Sequence, residues 1–121
     1  MNETGVALAS GTRTATTTSS TFTNPRGIGV LLFLNVTTAS GAGGLQVQAQ
    51  AVDPTSGAVL AINSAPTAVV ATGLKVYAIY PGHSAGATQS TSGVLPRQWN
   101  VKVTHGNSDS YAYSVSYQYL G

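Results

Sequence analysis

The sequence predicts an all-β protein, a single antiparallel β-sandwich that is jelly-roll-like and has about eight short strands. The first observation is an alternation of large and small polar residues, with a period of two, that recurs along the chain. The second is that Gly and Pro recur wherever a long helix would have to pass. The third is that only 7% of the 121 residues are charged, whereas a helical bundle needs a charged outer face.

The C-terminal quarter of the chain gives the clearest alternation. Large side chains at every second position from Tyr111 to Tyr119 face one way and small polar ones face the other. The segment from Trp99 to Val103 alternates in the same manner, and turn-forming residues fill 105–109. We therefore predict that residues 97–120 form an antiparallel hairpin.

Five further segments have strand character. Residues 45–51 and 58–62 flank the turn sequence Asp53-Pro54-Thr55-Ser56-Gly57, which predicts a second hairpin. The continuous apolar run from Gly29 to Val36 predicts a strand that is buried on both faces. Residues 68–71 and 74–80 predict two more short strands.

The N-terminal segment has two interpretations. Residues 1–22 are rich in Thr and Ser, so they form either an edge strand or an extended arm that becomes ordered against a neighbour. Residues 23–121 then form the sandwich domain, a size that fits one core. We find no signal peptide and no membrane span, so we expect synthesis in the cytoplasm and no membrane partner.

Catalytic motifs are not found in the sequence. The three carboxylates are Glu3 near the terminus and Asp53 and Asp109 in predicted turns, where Asp is ordinary turn chemistry. His83 and His105 are lone loop histidines, and no motif supports a triad of His105, Asp109 and a serine. We therefore expect no enzyme activity, no metal and no cofactor.

The basic residues do not form a patch. They are scattered along the chain as Arg13, Arg26, Lys75, Arg97 and Lys102. A face that binds phosphates needs clustered Lys and Arg. We therefore expect no nucleic-acid partner, although the isoelectric point is about 9.2.

The tyrosine face has three interpretations. The side chains of Tyr111, Tyr113, Tyr117 and Tyr119 are suited to a core, to a stacking platform for a ligand, or to a subunit interface, because tyrosine combines a large area with a polar tip. A platform for sugars or bases would also need charged or amide partners, which are few here. A core or an interface is therefore favoured.

Several short motifs lie between residues 22 and 120. They include Thr23-Asn24-Pro25-Arg26-Gly27, Asp53-Pro54-Thr55-Ser56-Gly57 and Tyr80-Pro81-Gly82. The most distinctive part is Leu95-Pro96-Arg97, followed by Trp99, Val101, Val103 and His105-Gly106. With these motifs the sequence resembles small virion proteins of tailed bacteriophages, in particular capsid decoration (cement) proteins.

The resemblance implies a β-sandwich on the outer surface of the virion head, often as trimers at local three-fold positions. The expected partners are the major capsid protein and further copies of the chain. Contacts are expected from the N-terminal arm, the tyrosine face and the arginines. The candidate interface residues are Arg13, Phe22, Arg26, Arg97, Trp99, Tyr117 and Tyr119. A solvated turn position is the alternative for Arg26 and for Arg97.

Two other functions remain open at this point. One is a module, displayed on the virion, that binds host-surface glycans through loops carrying His83, Trp99, Asn107 and Asp109. The other is a structural subunit associated with the tail, the neck or a fibre.

Overall fold

The computed structural model describes residues 3–63, 66–82 and 89–121. These residues form strands and loops but no helix. The strands are β1 Thr4–Arg13, β2 Thr17–Thr18, β3 Phe22–Thr23, β4 Gly29–Ser40, β5 Leu45–Val52, β6 Val59–Ala61, β7 Gly73–Ile79, β8 Gln89–Thr91, β9 Gln98–His105 and β10 Ser110–Leu120.

The strands form two sheets, and all pairs are antiparallel except β7 with β8. The first sheet has the order β1-β10-β4-β7-β8, and the second has the order β2-β9-β5-β6, with β3 also paired to β9. This arrangement confirms the predicted all-β sandwich. Several strands are only two or three residues long.

The core lies between the two sheets and is built from alternate residues of the long strands. Its largest fully buried side chains are Trp99, Tyr111, Tyr113, Leu32, Leu34, Leu45, Ile79, Val30, Val36, Val47, Val101 and Val103. Because side chains along a strand alternate between its two faces, one face of each of these strands points toward the core.

The predicted hairpin of residues 97–120 is wrong. β9 pairs with β5 in the second sheet, whereas β10 pairs with β1 and β4 in the first. The link between them, Gly106–Asp109, therefore crosses from one sheet to the other. Both strands have a large-residue face, and in a sandwich those faces meet across the core instead of side by side.

Two other strand predictions are also corrected. β4 is buried on one face only: Leu31 and Phe33 on its other face are half-buried and Asn35 is exposed. Residues 68–71 do not form a strand, and only a single bridge joins Val69 to Leu45. The predicted hairpin around Asp53–Gly57 is confirmed as β5 paired with β6, and the predicted strand 74–80 corresponds to β7.

The N-terminal segment contacts both sheets. β1 lies along β10 at the edge of the first sheet. The chain then crosses to the second sheet, where β2 and β3 lie along β9. Between them, Ser19 N–H donates to Val101 O at 2.8 Å, and the Ser19 hydroxyl accepts from Val101 N–H at 2.9 Å.

Candidate functional site

Four of the candidate interface residues form one aromatic cluster between the sheets. The ring centroid of Phe22 lies 5.1 Å from those of both Trp99 and Tyr117. The indole Nε1–H of Trp99 donates to Tyr119 Oη at 3.1 Å. Trp99 and Tyr119 are 0% and 4% exposed, while Phe22 and Tyr117 are half-buried. These side chains hold β3 and β9 against β10.

The tyrosine face of β10 belongs mainly to the core. Tyr111, Tyr113 and Tyr119 are no more than 4% exposed, and Val115 is fully buried. Of the three interpretations given to this face, packing inside the sandwich is the one the structure shows for these side chains.

Arg13 binds the backbone of its own strand and of the neighbouring strand β10. Its guanidinium donates to Ala9 O at 2.6 Å, to Gly11 O at 3.3 Å and to Tyr113 O at 3.0 Å. It also lies 4.9 Å from the centre of the Tyr113 ring, within cation–π range. The pairing of β1 with β10 is irregular between Leu8 and Gly11. Arg13 therefore covers carbonyl groups at the irregular part of this edge strand.

Arg26 and Arg97 lie on two segments that Asn24 joins. The Asn24 N–H donates to Arg97 O at 2.6 Å, and its side-chain amide donates to Gly27 O at 2.7 Å and to Leu95 O at 3.3 Å. Its Oδ1 accepts from Gly27 N–H at 2.7 Å. Asn24 is 6% exposed, whereas both arginine side chains are exposed. The backbone is thus fixed while the guanidinium groups face solvent.

Asp109 organises the glycine-rich loop between β4 and β5. Its Oδ2 accepts from Ala42 N–H at 3.1 Å and from Gly43 N–H at 3.3 Å. Gly41 has a φ of 121°, which favours glycine, and its carbonyl accepts from Tyr111 Oη at 3.0 Å. Two loops that each connect the sheets are therefore bound to each other at this end of the sandwich.

Asp53 has a similar role in its own turn. Its carboxylate accepts from the Ser56 hydroxyl at 2.6 Å and from Thr55 N–H at 3.1 Å. These hydrogen bonds, led by that of Ser56, lower the pKa of the Asp53 carboxyl below its ordinary value. Turn chemistry thus accounts for the contacts of the Asp53 carboxylate, whereas the Asp109 carboxylate binds the backbone of a different loop.

His105 lies in a polar cluster at the end of β9. The imidazole is 9% exposed, and its Nε2 lies 2.8 Å from Tyr113 Oη. The Tyr111 ring contacts the imidazole edge-to-face at 6.1 Å between ring centroids. Burial lowers the pKa of His105, and the nearby Arg13 charge lowers it further. The side-chain hydrogen bond of His105 leads to Tyr113 and those of Asp109 lead to the glycine-rich loop, so the described structure shows no hydrogen bond between these two side chains.

Of the residues named for glycan binding, Asn107 and Asp109 lie in one turn, where Asn107 Oδ1 accepts from Asp109 N–H at 2.8 Å. His83 lies outside the described residues. Trp99 is fully buried, so its ring is not available to stack on a sugar as the glycan-binding alternative requires. Within residues 3–63, 66–82 and 89–121, no three His, Asp or Glu side chains are grouped as a metal site would need.

The outer face of the first sheet is a surface that sequence reasoning missed. Val6, Ser116, Phe33 and Val76 form one row across β1, β10, β4 and β7. Leu74, in the next row, is 59% exposed and Val6 is 62% exposed, while Phe33 and Val76 are half-buried. No described side chain on this face is charged. The sequence feature that could have indicated this surface is the apolar second face of β4, for which the sequence predicts burial in the core.

Comparison with protein-family models, with curated proteins and with solved structures finds no match for this chain. No stretch of the described chain is a helix with the length and apolar character that crossing a membrane requires.

Proposed function

We propose that this protein is a structural component of a tailed-phage virion, a decoration protein that binds the outer surface of the icosahedral head and stabilises it. In this proposal the copies associate as trimers and contact the major capsid protein. The observation that supports the proposal best is the uncharged, partly apolar outer face of the first sheet. The sequence resemblance to decoration proteins points the same way.

The composition of this face suits burial against another protein. Val6 and Leu74 expose 62% and 59% of their side chains, and removing such apolar surface from water contributes about 25 cal/mol per Å². Because the described face has no charge, its burial carries no cost for desolvating ions. Apolar side chains on this face stand beside uncharged polar ones such as Ser116, and a mixed surface of this kind is common in protein interfaces.

The low charge of the whole chain also suits dense packing of many copies. With five basic and three acidic residues, neighbouring copies on a shell repel one another little. Binding that rests on apolar burial and on backbone hydrogen bonds is weakly screened by salt. We therefore expect association with the head at both low and high ionic strength.

The experiment mixes the purified protein with phage heads that lack it and measures bound protein by co-sedimentation at low and high salt. Two variants test the face, Val6→Thr and Leu74→Gln. Two matched controls, Val94→Thr and Leu60→Gln, change residues that are 64% and 75% exposed elsewhere. We expect the first pair to weaken binding and the controls to bind like the unchanged protein.

If the protein binds the heads neither at low salt nor at high salt, the proposed function is overturned. Equal binding by all four variants would remove the outer face of the first sheet as the contact surface. Sedimentation equilibrium of the unbound protein tests the proposed trimer separately.

A further inference from the structure

A groove of about 350 Å³ lies where β5 ends and β9 begins. It is lined by Val52, Pro54, Pro96, Arg97 and Gln98. Its walls are largely apolar, and its charged member, Arg97, is exposed. The groove is a partly open depression at the surface.

Two buried amides lie next to the groove on the outer face of the second sheet. Gln50 pairs with Asn100 across β5 and β9, one row from Val52 and Gln98 on the same face. Gln50 is 7% exposed and Asn100 is 6% exposed. Among the described residues, Asn100 Oδ1 has no hydrogen-bond partner. A buried carbonyl oxygen without a donor is rare in proteins, and this one adjoins a groove.

The Arg97 side chain is exposed, and within the described part of the chain its guanidinium makes no hydrogen bond. The Arg97 backbone is fixed, because its carbonyl accepts from Asn24 N–H at 2.6 Å. Asp53, which precedes Pro54 of the groove, directs its carboxylate oxygens to Ser56 and Thr55 of its own turn. A guanidinium pairs best with a carboxylate or a phosphate.

We propose that this groove binds an extended peptide segment of another protein. An apolar side chain of that segment enters between Pro54 and Pro96, and a nearby Asp or Glu pairs with Arg97. The contact goes beyond the proposed function, since the groove and the outer face of the first sheet lie on opposite sides of the sandwich. A single flat partner surface cannot cover both sides, so the groove needs an occupant of its own.

The apolar walls favour a peptide over a nucleic acid. One arginine flanked by two prolines and a valine offers little to a phosphate backbone, which is bound by several basic residues in a row. An apolar anchor beside a charged pair is the usual composition of a site that recognises a peptide.

The experiment uses a peptide array and the full-length protein. Each peptide has a Leu or Phe anchor with an Asp or Glu one to three positions away, and a matched peptide has Asn or Gln at that position. We expect binding to acidic peptides and about tenfold weaker binding by Arg97→Gln, the usual effect of losing one charge-assisted hydrogen bond. Lys102→Gln, on the same face of β9 but outside the groove, is the matched control and should bind like the unchanged protein.

Three outcomes would overturn the inference. In the first, the unchanged protein binds no peptide. In the second, acidic peptides and their amide counterparts bind equally well. In the third, the Arg97 and Lys102 variants lose binding to the same extent. Amide chemical-shift changes on adding a bound peptide should centre on Val52, Gln98 and Asn100, and changes confined to the other sheet would also contradict it. None of these results depends on phage heads, so the proposed function can fail or hold independently.

Discussion

His105 Nε2 lies 2.8 Å from Tyr113 Oη, and this hydrogen bond joins the end of β9 in one sheet to β10 in the other. Arg13 from β1 lies over the same tyrosine, 4.9 Å from the ring centre. Three strands of the two sheets thus meet at one buried polar cluster. Its imidazole has a pKa below the ordinary value of 6.5, because burial and the Arg13 charge both disfavour the protonated form.

The first prediction is that acid weakens the fold through His105. Above about pH 6.5 the imidazole is neutral in both states. Below that pH the unfolded chain takes up the proton first, so the free energy of unfolding falls as the pH decreases toward the folded-state pKa. Urea unfolding between about pH 7 and about pH 5 measures this loss.

The His105→Gln variant should lose most of that pH dependence, whereas His83→Gln should keep it. The pH range of this measurement lies above the range in which the Asp53 carboxyl becomes protonated, because the pKa of that carboxyl is lowered. If the free energy of unfolding changes with pH by the same amount in both variants, another group is responsible.

The second prediction compares two buried tyrosine hydroxyls. Tyr119 Oη accepts from the Trp99 indole, so Tyr119→Phe leaves a buried N–H unpaired and should lower the free energy of unfolding by about 1–3 kcal/mol. Tyr77 Oη is buried without a partner among the described residues, and burial raises the pKa of Tyr77 to about 12. Tyr77→Phe should therefore be neutral or stabilising. Urea unfolding measures both variants, and an equal loss of stability in the two would contradict this prediction.

The third prediction concerns Asn24. Its side chain makes three hydrogen bonds that hold the Arg26 loop to Leu95. Asn24→Ala should cost about 2–4 kcal/mol of stability, since buried backbone groups lose their partners. Asn107→Ala removes an exposed amide with one local bond to Asp109 N–H and should cost less than about 1 kcal/mol. Thermal melting of the two variants provides the measurement.

The fourth prediction concerns the edge strand β1. Arg13→Ala exposes the carbonyls of Ala9 and Gly11 at a sheet edge, so it should lower stability by about 1–2 kcal/mol and increase self-association. Arg13→Lys keeps the charge but not the planar fork, so an intermediate result is expected. Urea unfolding measures the stability, and sedimentation velocity measures the self-association. An Arg13→Ala variant that is as stable as the unchanged protein and does not self-associate more than it would contradict this prediction.

The period-two pattern predicted most strands because side-chain alternation is a local property of the sequence. The pattern does not show which sheet a strand joins. Trp99 and Tyr119 alternate with polar neighbours in the same way whether β9 and β10 pair or face each other, so the hairpin prediction failed. The prediction that both faces of β4 are buried was wrong for another reason: a continuous apolar run does not show whether the second face, at Leu31 and Phe33, is covered.

The candidate site was less predictable than the strands. Arg26 and Arg97 stood out as charges in a nearly uncharged chain, and both are exposed. The role of Asn24 depends on contacts with Leu95 and Arg97, more than 70 positions away in sequence. Such long-range contacts leave no local pattern. Trp99 and Tyr119 are candidate interface residues in the sequence, but in the structure both large side chains pack between the sheets.

The most direct test of the central claim is to locate the protein in images of intact virions. A decoration protein predicts density of this sandwich on the outer surface of the head, grouped around the local three-fold positions, and its loss from virions in which the coding sequence is deleted. Density confined to the tail, the neck or the fibres, or heads that look the same with and without the protein, would contradict the proposed function.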